Sequence, residues 1–334
     1  MSTTTLATPA PVAPDSRRRR ALFMFLSRYG TLVGLAIMII AFTIKAPNQF
    51  LSLPNFLNIL SQGSLTAIIA AGLTITLVVG EFDLSIGYVA SFSGLIVVGF
   101  IARDGVPLIL ALLLIMIIGG GIGAVNGVLV TKVRINAVIA TLGIGTMLVG
   151  LGFAYSAFPI ASGVPAEFTA IALGRAVFGI PNVIIIMLVV LAILWVILNK
   201  TDLGQKMQAV GGNPEAARLS GIRVDRVKIF SFATAGICAS ITGTLLSSLL
   251  GSGTLAAADG YLLDAFAAVF LGSATLRDGE FHILGTLIGV LIIAVGFNGL
   301  SIFGAPTFFQ PIFKGLILVL AVGLSTLARR YAKA

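Results

Sequence analysis

The sequence is poor in charge. Charged residues make up 10% of the 334-residue chain, under half of the ~25% usual for a soluble domain. It has one cysteine, Cys238, and one histidine, His282. A disulfide framework within the chain is therefore excluded, and so is a metal site built from Cys and His alone. Carboxylates are not clustered, which leaves little for acid–base or nucleophilic catalysis. No G-x-x-x-x-G-K-[ST] run occurs, so no nucleotide phosphate loop is expected in this chain. No cofactor or metal is expected.

What is present is apolar. Hydrophobic residues account for 58%, mean hydropathy is +1.10, and several runs are long enough to cross a ~30 Å hydrocarbon layer at ~1.5 Å per residue. There are 39 glycines, which let membrane helices approach closely. The expected fold is an all-α polytopic membrane protein with about ten transmembrane helices, over 29–46, 61–79, 85–102, 107–130, 137–156, 181–199, 227–250, 261–276, 283–300 and 307–327. The 261–276 stretch is short, the length of a tilted or re-entrant element lined by protein. The prolines of APNQFLSLPNFLNIL, residues 46–60, suggest an interfacial segment. Residues 1–28 read as a disordered basic cytoplasmic tail, 29–327 as the transmembrane domain with its largest inner loop at 200–228, and 328–334 as a second cytoplasmic tail.

The net charge of +9 would suggest nucleic acid for a soluble protein. Here the cations fall between apolar runs and report topology instead. With the N-terminus inside, every Lys and Arg except Lys45, Arg103, Arg175 and Lys314 lies on the inner side, so both termini are expected in the cytoplasm. Trp195 sits at an inner span end, as an interfacial anchor would. Cys238 reads as a packing residue and His282 as an interfacial or capping one. The triplet Gly-Glu-Phe occurs at 80–82 and 279–281, on loops that both face inside; three residues are too few to establish a repeat.

Three groups of residues stand out. In KTDLGQKMQAVGGNPEAARLSGIRVDRVK, residues 200–228, Asn213 is a helix N-cap, Pro214 suits the first turn, Glu215 favours the positive dipole end, and Gly221 suits a left-handed stop. The two-turn helix they define is too short to be stable alone. It is either a capped turn in a solvated loop or a helix that docks on a partner. In GEFDLSIG, residues 80–87, Asp83 and Ser85 read as caps for the following helix, with a gate or cation site as alternatives. Polar residues inside spans, Asn126, Asn298 and Asp264 among them, read as interhelical hydrogen bonders or as the lining of a polar path. In the second reading Phe297, Phe266 or Phe270 would supply a ring face.

The run from Gly204 to Ile222, G-x-x-x-x-A-V-G-G-N-P-E-A-A-R-L-S-G-I, resembles the cytoplasmic coupling loop of ATP-binding-cassette importer permeases, and most nearly that of the ribose/xylose/arabinose type. GEFDLSIG is similar to that family's G-x-D-L-S-x-G motif. NAVIATLG from Asn136 and LDAFAAVFLGSATLRDGEFHILGTLIGVLII extend the likeness over about 50–325. The sequence departs from the family at Glu81, where many relatives carry a neutral residue, and in the charged loop Arg277-Asp278-Gly279-Glu280. The resemblance implies a multi-pass permease in the bacterial inner membrane that moves a monosaccharide or related polyol. It would pair with a second permease subunit, identical or related, dock on a cytoplasmic cassette ATPase, and receive sugar from a periplasmic binding protein. It implies ATPase coupling through Gly204, Gly211, Gly212, Asn213, Pro214, Glu215, Ala216, Ala217, Arg218 and Gly221. Glu81, Phe82, Asp83, Ser85, Asn126, Asp264, Phe270, Phe297 and Asn298 are the residues expected along the pathway or gate. A permease for branched-chain amino acids or another small solute is the nearest alternative, and an ATPase-independent transporter or channel is the alternative of a different kind.

Overall fold

The computed structural model describes residues 14–276, 279–317 and 319, with α1 side chains described from Tyr29 onward. The expected tails over 1–13 and 328–334, the end of the 307–327 span, and Arg277 with Asp278 lie outside the described residues. The chain runs through α1 (Pro14–Lys45), α2 (Pro47–Phe50), α3 (Leu53–Val78), α4 (Ile86–Ala102), α5 (Leu108–Val128), a π-turn (Leu129–Val133), α6 (Ala137–Tyr155) and α7 (Ala166–Leu173). It continues through α8 (Asn182–Lys200), α9 (Asp202–Gly212), α10 (Pro214–Leu219), α11 (Val224–Leu250), α12 (Asp259–Ser273) and α13 (Ile283–Ile302). Residues 309–317 are again helical. Two isolated bridges, Ile160–Gly253 and Val177–Ile180, are the β-type pairing among the described residues.

Among the described residues, six helices are long and apolar enough to cross a membrane: α3, α5 with its π-turn, α6, α8, α11 and α13. Thr31–Lys45 and α4 are shorter apolar helices. α12 has 15 residues, which at ~1.5 Å per residue falls short of the hydrocarbon layer. The polytopic helical architecture is thus present, and α12 is as short as its sequence suggests.

Two expectations are corrected. Residues 46–60 are not one interfacial segment. α3 begins at Leu53, where Ser52 accepts the Asn55 amide and Pro54 occupies the first turn. There proline starts a helix, since its missing N–H falls where no partner exists. In addition, α1 starts at Pro14, so helical backbone reaches back well into the stretch read as a disordered tail.

α3, α11 and α13 form the interior. About two thirds of the α3 and α13 windows are buried, against 22% for α5, whose outer face is left for lipid. α11 lies against α5 where two glycines meet. A Cβ on Gly236 would stand 2.1 Å from the Gly119 carbonyl oxygen, and one on Gly119 would stand 2.7 Å from that of Gly236. Only glycine permits this approach, and dispersion across it is what holds membrane helices together. Hydroxyl pairs add directed contacts: Thr74–Thr286 at 2.6 Å joins α3 to α13, and Ser93–Ser240 at 2.8 Å joins α4 to α11. At the opposite end from the coupling segment, the Asn55 and Asn298 amides donate to each other at 3.1 and 2.8 Å, joining the start of α3 to the end of α13.

Candidate functional site

The coupling segment folds as a helical hairpin, α9 then α10. α10 has the punctuation read from sequence. The Asn213 side chain accepts the amides of Glu215 and Ala216, both at 3.1 Å, and Gly221 takes φ +82°. α9, with Thr201 as its cap, was missed by sequence reasoning. Its Gly211-Gly212 end looks like loop, yet both residues are helical.

The ten residues expected to couple divide by position. Gly204 and Ala217 are buried, whereas Gly211, Gly212, Asn213, Pro214, Glu215, Ala216, Arg218 and Gly221 form an exposed surface. Leu219, absent from the expected set, is 90% exposed at the tip of α10. Nothing in its local spacing distinguishes it from a helix former; exposure does. Two of the glycines are packing residues. A Cβ on Gly204 would stand 2.2 Å from the Leu198 carbonyl oxygen, and one on Gly211 would stand 1.8 Å from that of Val78. Gly212 has nothing within 4 Å.

The hairpin is fastened to the bundle. Ile222 donates its amide to Ala217 and Gly221 to Arg218, both at 3.0 Å, a Schellman stop that closes α10 shortly before α11 begins at Val224. Asp225 takes Lys132 at 2.6 Å and Arg218 at 4.0 Å, and Arg218 also reaches Glu215 at 3.3 Å. These exposed pairs each add little stability. Lys200 lies 5.6 Å above the Trp195 ring, consistent with an anchor at this face.

Beside the hairpin lies the 80–85 loop. α3 ends with Gly80 at φ +83°, Gly80 N donating to Leu77 and Glu81 N to Thr76, both at 3.0 Å. This is a Schellman stop, which requires the left-handed glycine. Glu81 then pairs with Lys228 of α11; the two side chains are 16% and 17% exposed. Asp83 Oδ1 accepts the Ser85 amide at 2.9 Å and the Ser85 hydroxyl at 2.6 Å. Ser85 Oγ accepts Asn126 Nδ2 at 2.8 Å, and Leu84 N donates to Thr141 Oγ1 at 3.0 Å. Asn126 Oδ1 is buried with no partner among the described residues. Ser85 stands at the N-cap of α4 but makes no side-chain cap bond; its hydroxyl is held by Asp83 instead. Burial pushes the Asp83 carboxyl up to about 6, against the two bonds from Ser85 that pull it down.

Phe82 is the one side chain of this loop that turns outward, 41% exposed. Its ring stacks on Phe266 at 6.2 Å and Phe270 at 6.5 Å, and Phe281 meets Phe270 edge-on at 5.6 Å. Phe82 and Phe281 are the aromatic members of the two Gly-Glu-Phe triplets, so the two triplets converge on one ring. Beside them His282 caps α13, its Nδ1 accepting Gly285 N and its Nε2 bonded to the Thr275 carbonyl, both at 2.9 Å. Capping was the role expected for it.

The remaining expected residues lie elsewhere. Asp264 pairs with Lys314 at 2.6 Å, and Lys314 lies 5.9 Å from the centre of the Phe297 ring. Lys314 sits within the helical residues 309–317, in the expected 307–327 span, and pairs across to α12. Asn298 is engaged with Asn55 and does not join Phe297 in one site.

The family described as "Branched-chain amino acid transport system / permease component" matches residues 55–322. The chain is similar to the ribose import permease protein of Bacillus subtilis, at 40% identity over 89% of this chain and 92% of the relative. Against that of Haemophilus influenzae the identity is 37%, over 89% and 93%. Against that of Escherichia coli K12 it is 36%, over 92% and 96%. No solved structure matches.

Proposed function

The chain belongs to the permease components of ATP-binding-cassette importers, the family described as branched-chain amino acid transport system / permease component, and on that premise we propose that it translocates a monosaccharide across the inner membrane, powered by a separate ATPase. The observation that carries this reading is α10: a short, capped, exposed helix with Leu219 at its tip, set just before α11 at a basic face. Its shape suits a groove on a cassette ATPase, with Leu219 as the apolar anchor and Glu215 and Arg218 at the rim. The sugar assignment rests on relatives named as ribose permeases, and ribose is the first substrate to test. Sugar would be delivered by a periplasmic binding protein to a pair of permease subunits.

Ten spans with both termini inside fit the contacts between loops. Lys228–Glu81 and Lys132–Asp225 join the loops after α3, α5 and α8 at one face. The Phe82–Phe270–Phe281 cluster adds the loop after α12 to that face. Between the first and last of these loops lie α4, α5, α6, α8, α11 and α12, and a return to the same face needs an even number of crossings. α12 therefore counts as a crossing despite its length.

Along the path, we assign Phe82 and Phe270 to the inner mouth, where their ring faces suit a sugar. Asp264 and Phe297, with Lys314, form a polar step in the opposite half of the membrane. Glu81, Asp83, Ser85, Asn126 and Asn298 hold this framework in shape.

The test is reconstitution of the chain with its ATPase and binding protein in proteoliposomes, followed by ATP-dependent uptake of radiolabelled D-ribose, D-xylose, D-allose or D-galactose. Uptake of leucine and of none of these sugars would favour the amino-acid reading, which the family description keeps in view. Uptake without ATP would refute the importer.

A further inference from the structure

The 80–85 loop is held at its start by the coupling hairpin and α11, and at its far end by α5 and α6. At its start, α9 is seated on the last turn of α3, so close that a Cβ on Gly211 would overlap the Val78 carbonyl oxygen. One residue before Phe82, the loop is held by Lys228 through Glu81. Lys228 lies one turn inside α11, which follows α10 after residues 220–223 and whose Asp225 lies 4.0 Å from Arg218 of α10. Beyond Phe82, the network of Asp83, Ser85 and Asn126 and the Leu84–Thr141 bond fix the loop to α5 and α6. Phe82 thus sits between these contacts to α5 and α6 and the Glu81–Lys228 contact to α11, and its ring bridges to α12 through Phe266 and Phe270.

We propose that the Lys228–Glu81 ion pair is the link by which movement of the coupling helix displaces Phe82 and opens the aromatic stack. Glu81 and Lys228 are positioning residues for Phe82 and do not themselves contact the transported molecule. The pair suits this role because it is largely shielded from water, where an ion pair is screened least. It is also a direct contact between the loop and an element continuous with α10. Only residues 220–223 separate α10 from α11, so a push on α10 from the ATPase side has a short path to Lys228 and through it to Glu81.

This inference rests on the importer reading, and the test separates the two. Cys238 is the chain's one cysteine and is buried, so Phe82→Cys supplies a single reactive reporter. The complex with the cognate ATPase is labelled with a membrane-impermeant maleimide, with and without ATP plus vanadate. In the Phe82→Cys parent, the labelling rate is expected to change with nucleotide. Adding Glu81→Gln or Lys228→Met is expected to abolish that change while ATP hydrolysis continues. The charge-swapped pair Glu81→Lys with Lys228→Glu is expected to restore it. In the Phe82-containing protein, either single variant is expected to lower D-ribose imported per ATP hydrolysed by roughly tenfold, within the usual range for coupling between sites. Melting temperatures of all variants are read in parallel. A purely structural pair would lower the melting temperature without removing the nucleotide response. Nucleotide-dependent labelling that persists without the ion pair, or that never occurs in the parent, overturns the proposal while leaving the importer intact. Failure of the ATPase to assemble on the unaltered chain overturns the importer reading itself.

Discussion

Two adjacent glycines, Gly211 and Gly212, provide a sharp test of how the coupling hairpin is seated. Both belong to the motif shared with importer permeases, and sequence alone gives them the same role. Their surroundings differ. A methyl group on Gly211 would stand 1.8 Å from the Val78 carbonyl oxygen and 3.0 Å from its carbon. Real Cβ contacts essentially never fall below 3.0 Å, so α9 must retreat from α3 by about an ångström to admit it. The obstacle is backbone at the end of a helix and cannot swing aside. Such overpacking costs about 1–3 kcal/mol, offset in part by the ~0.5–1 kcal/mol that Ala gains over Gly within a helix. At Gly212 the methyl group meets nothing within 4 Å, and only the helix gain remains. Gly211→Ala is therefore expected to lower thermal stability in detergent and to impair ATP-driven uptake, and Gly212→Ala to leave uptake intact and raise stability slightly. Equal behaviour of the two variants in both assays would refute the close seating of α9 on α3.

Leu219→Asp is expected to weaken ATPase association by about 1–2 kcal/mol, roughly tenfold in affinity, with no change in melting temperature; retained co-purification at wild-type stoichiometry and affinity would count against the docking role. Glu215→Arg should act in the same direction, since its ion pair with Arg218 is exposed and adds little to folding. For Asp83, in the loop outside the spans, the folded-state value of about 6 lies above the ordinary 3.8. Its stabilising contribution is therefore complete below about pH 4 and lost as pH rises through about 6, by at most about 3 kcal/mol. Asp83→Asn, which keeps the acceptor for Ser85, should flatten that part of the stability profile and retain uptake; an unchanged profile would show that Asp83 does not titrate there. Asp264→Asn alone should destabilise the protein by about 3–5 kcal/mol by leaving Lys314 unpaired within the membrane, and adding Lys314→Met should recover most of the loss, as read by thermal unfolding.

Legibility in the sequence followed distance along the chain. α10 could be read because its signals are local: a cap at Asn213, a proline beside it, and a left-handed stop at Gly221. α9 could not, because Gly211-Gly212 carry the composition of a turn while the packing against Val78 requires a helix of small residues. The Glu81–Lys228 contact spans 147 positions, and no local pattern encodes it. The pairing of Lys314 with Asp264 is hidden for a related reason: a charge count reads a cation in the 307–327 span only as an exception to the topology pattern and says nothing of its partner. The two Gly-Glu-Phe triplets carry no local sign of contact, yet their phenylalanines both meet Phe270. Three residues remain too few to establish a repeat, but the topology that put both loops on one face agrees with their meeting.

The Asn55–Asn298 amide pair has a consequence for biogenesis. Its halves are 243 residues apart, and at ~5–20 residues per second a ribosome needs on the order of 10–50 seconds to supply the second after the first. Throughout that interval α3, one of the most deeply embedded helices of the mature bundle, has been inserted without α13, which later supplies partners for both Asn55 and Thr74. The central helix is thus among the first to enter the bilayer and among the last to be enclosed. The nascent permease spends much of its synthesis with polar groups of α3 open to water, lipid or an insertion chaperone, and that interval is when quality control has its clearest access to the chain.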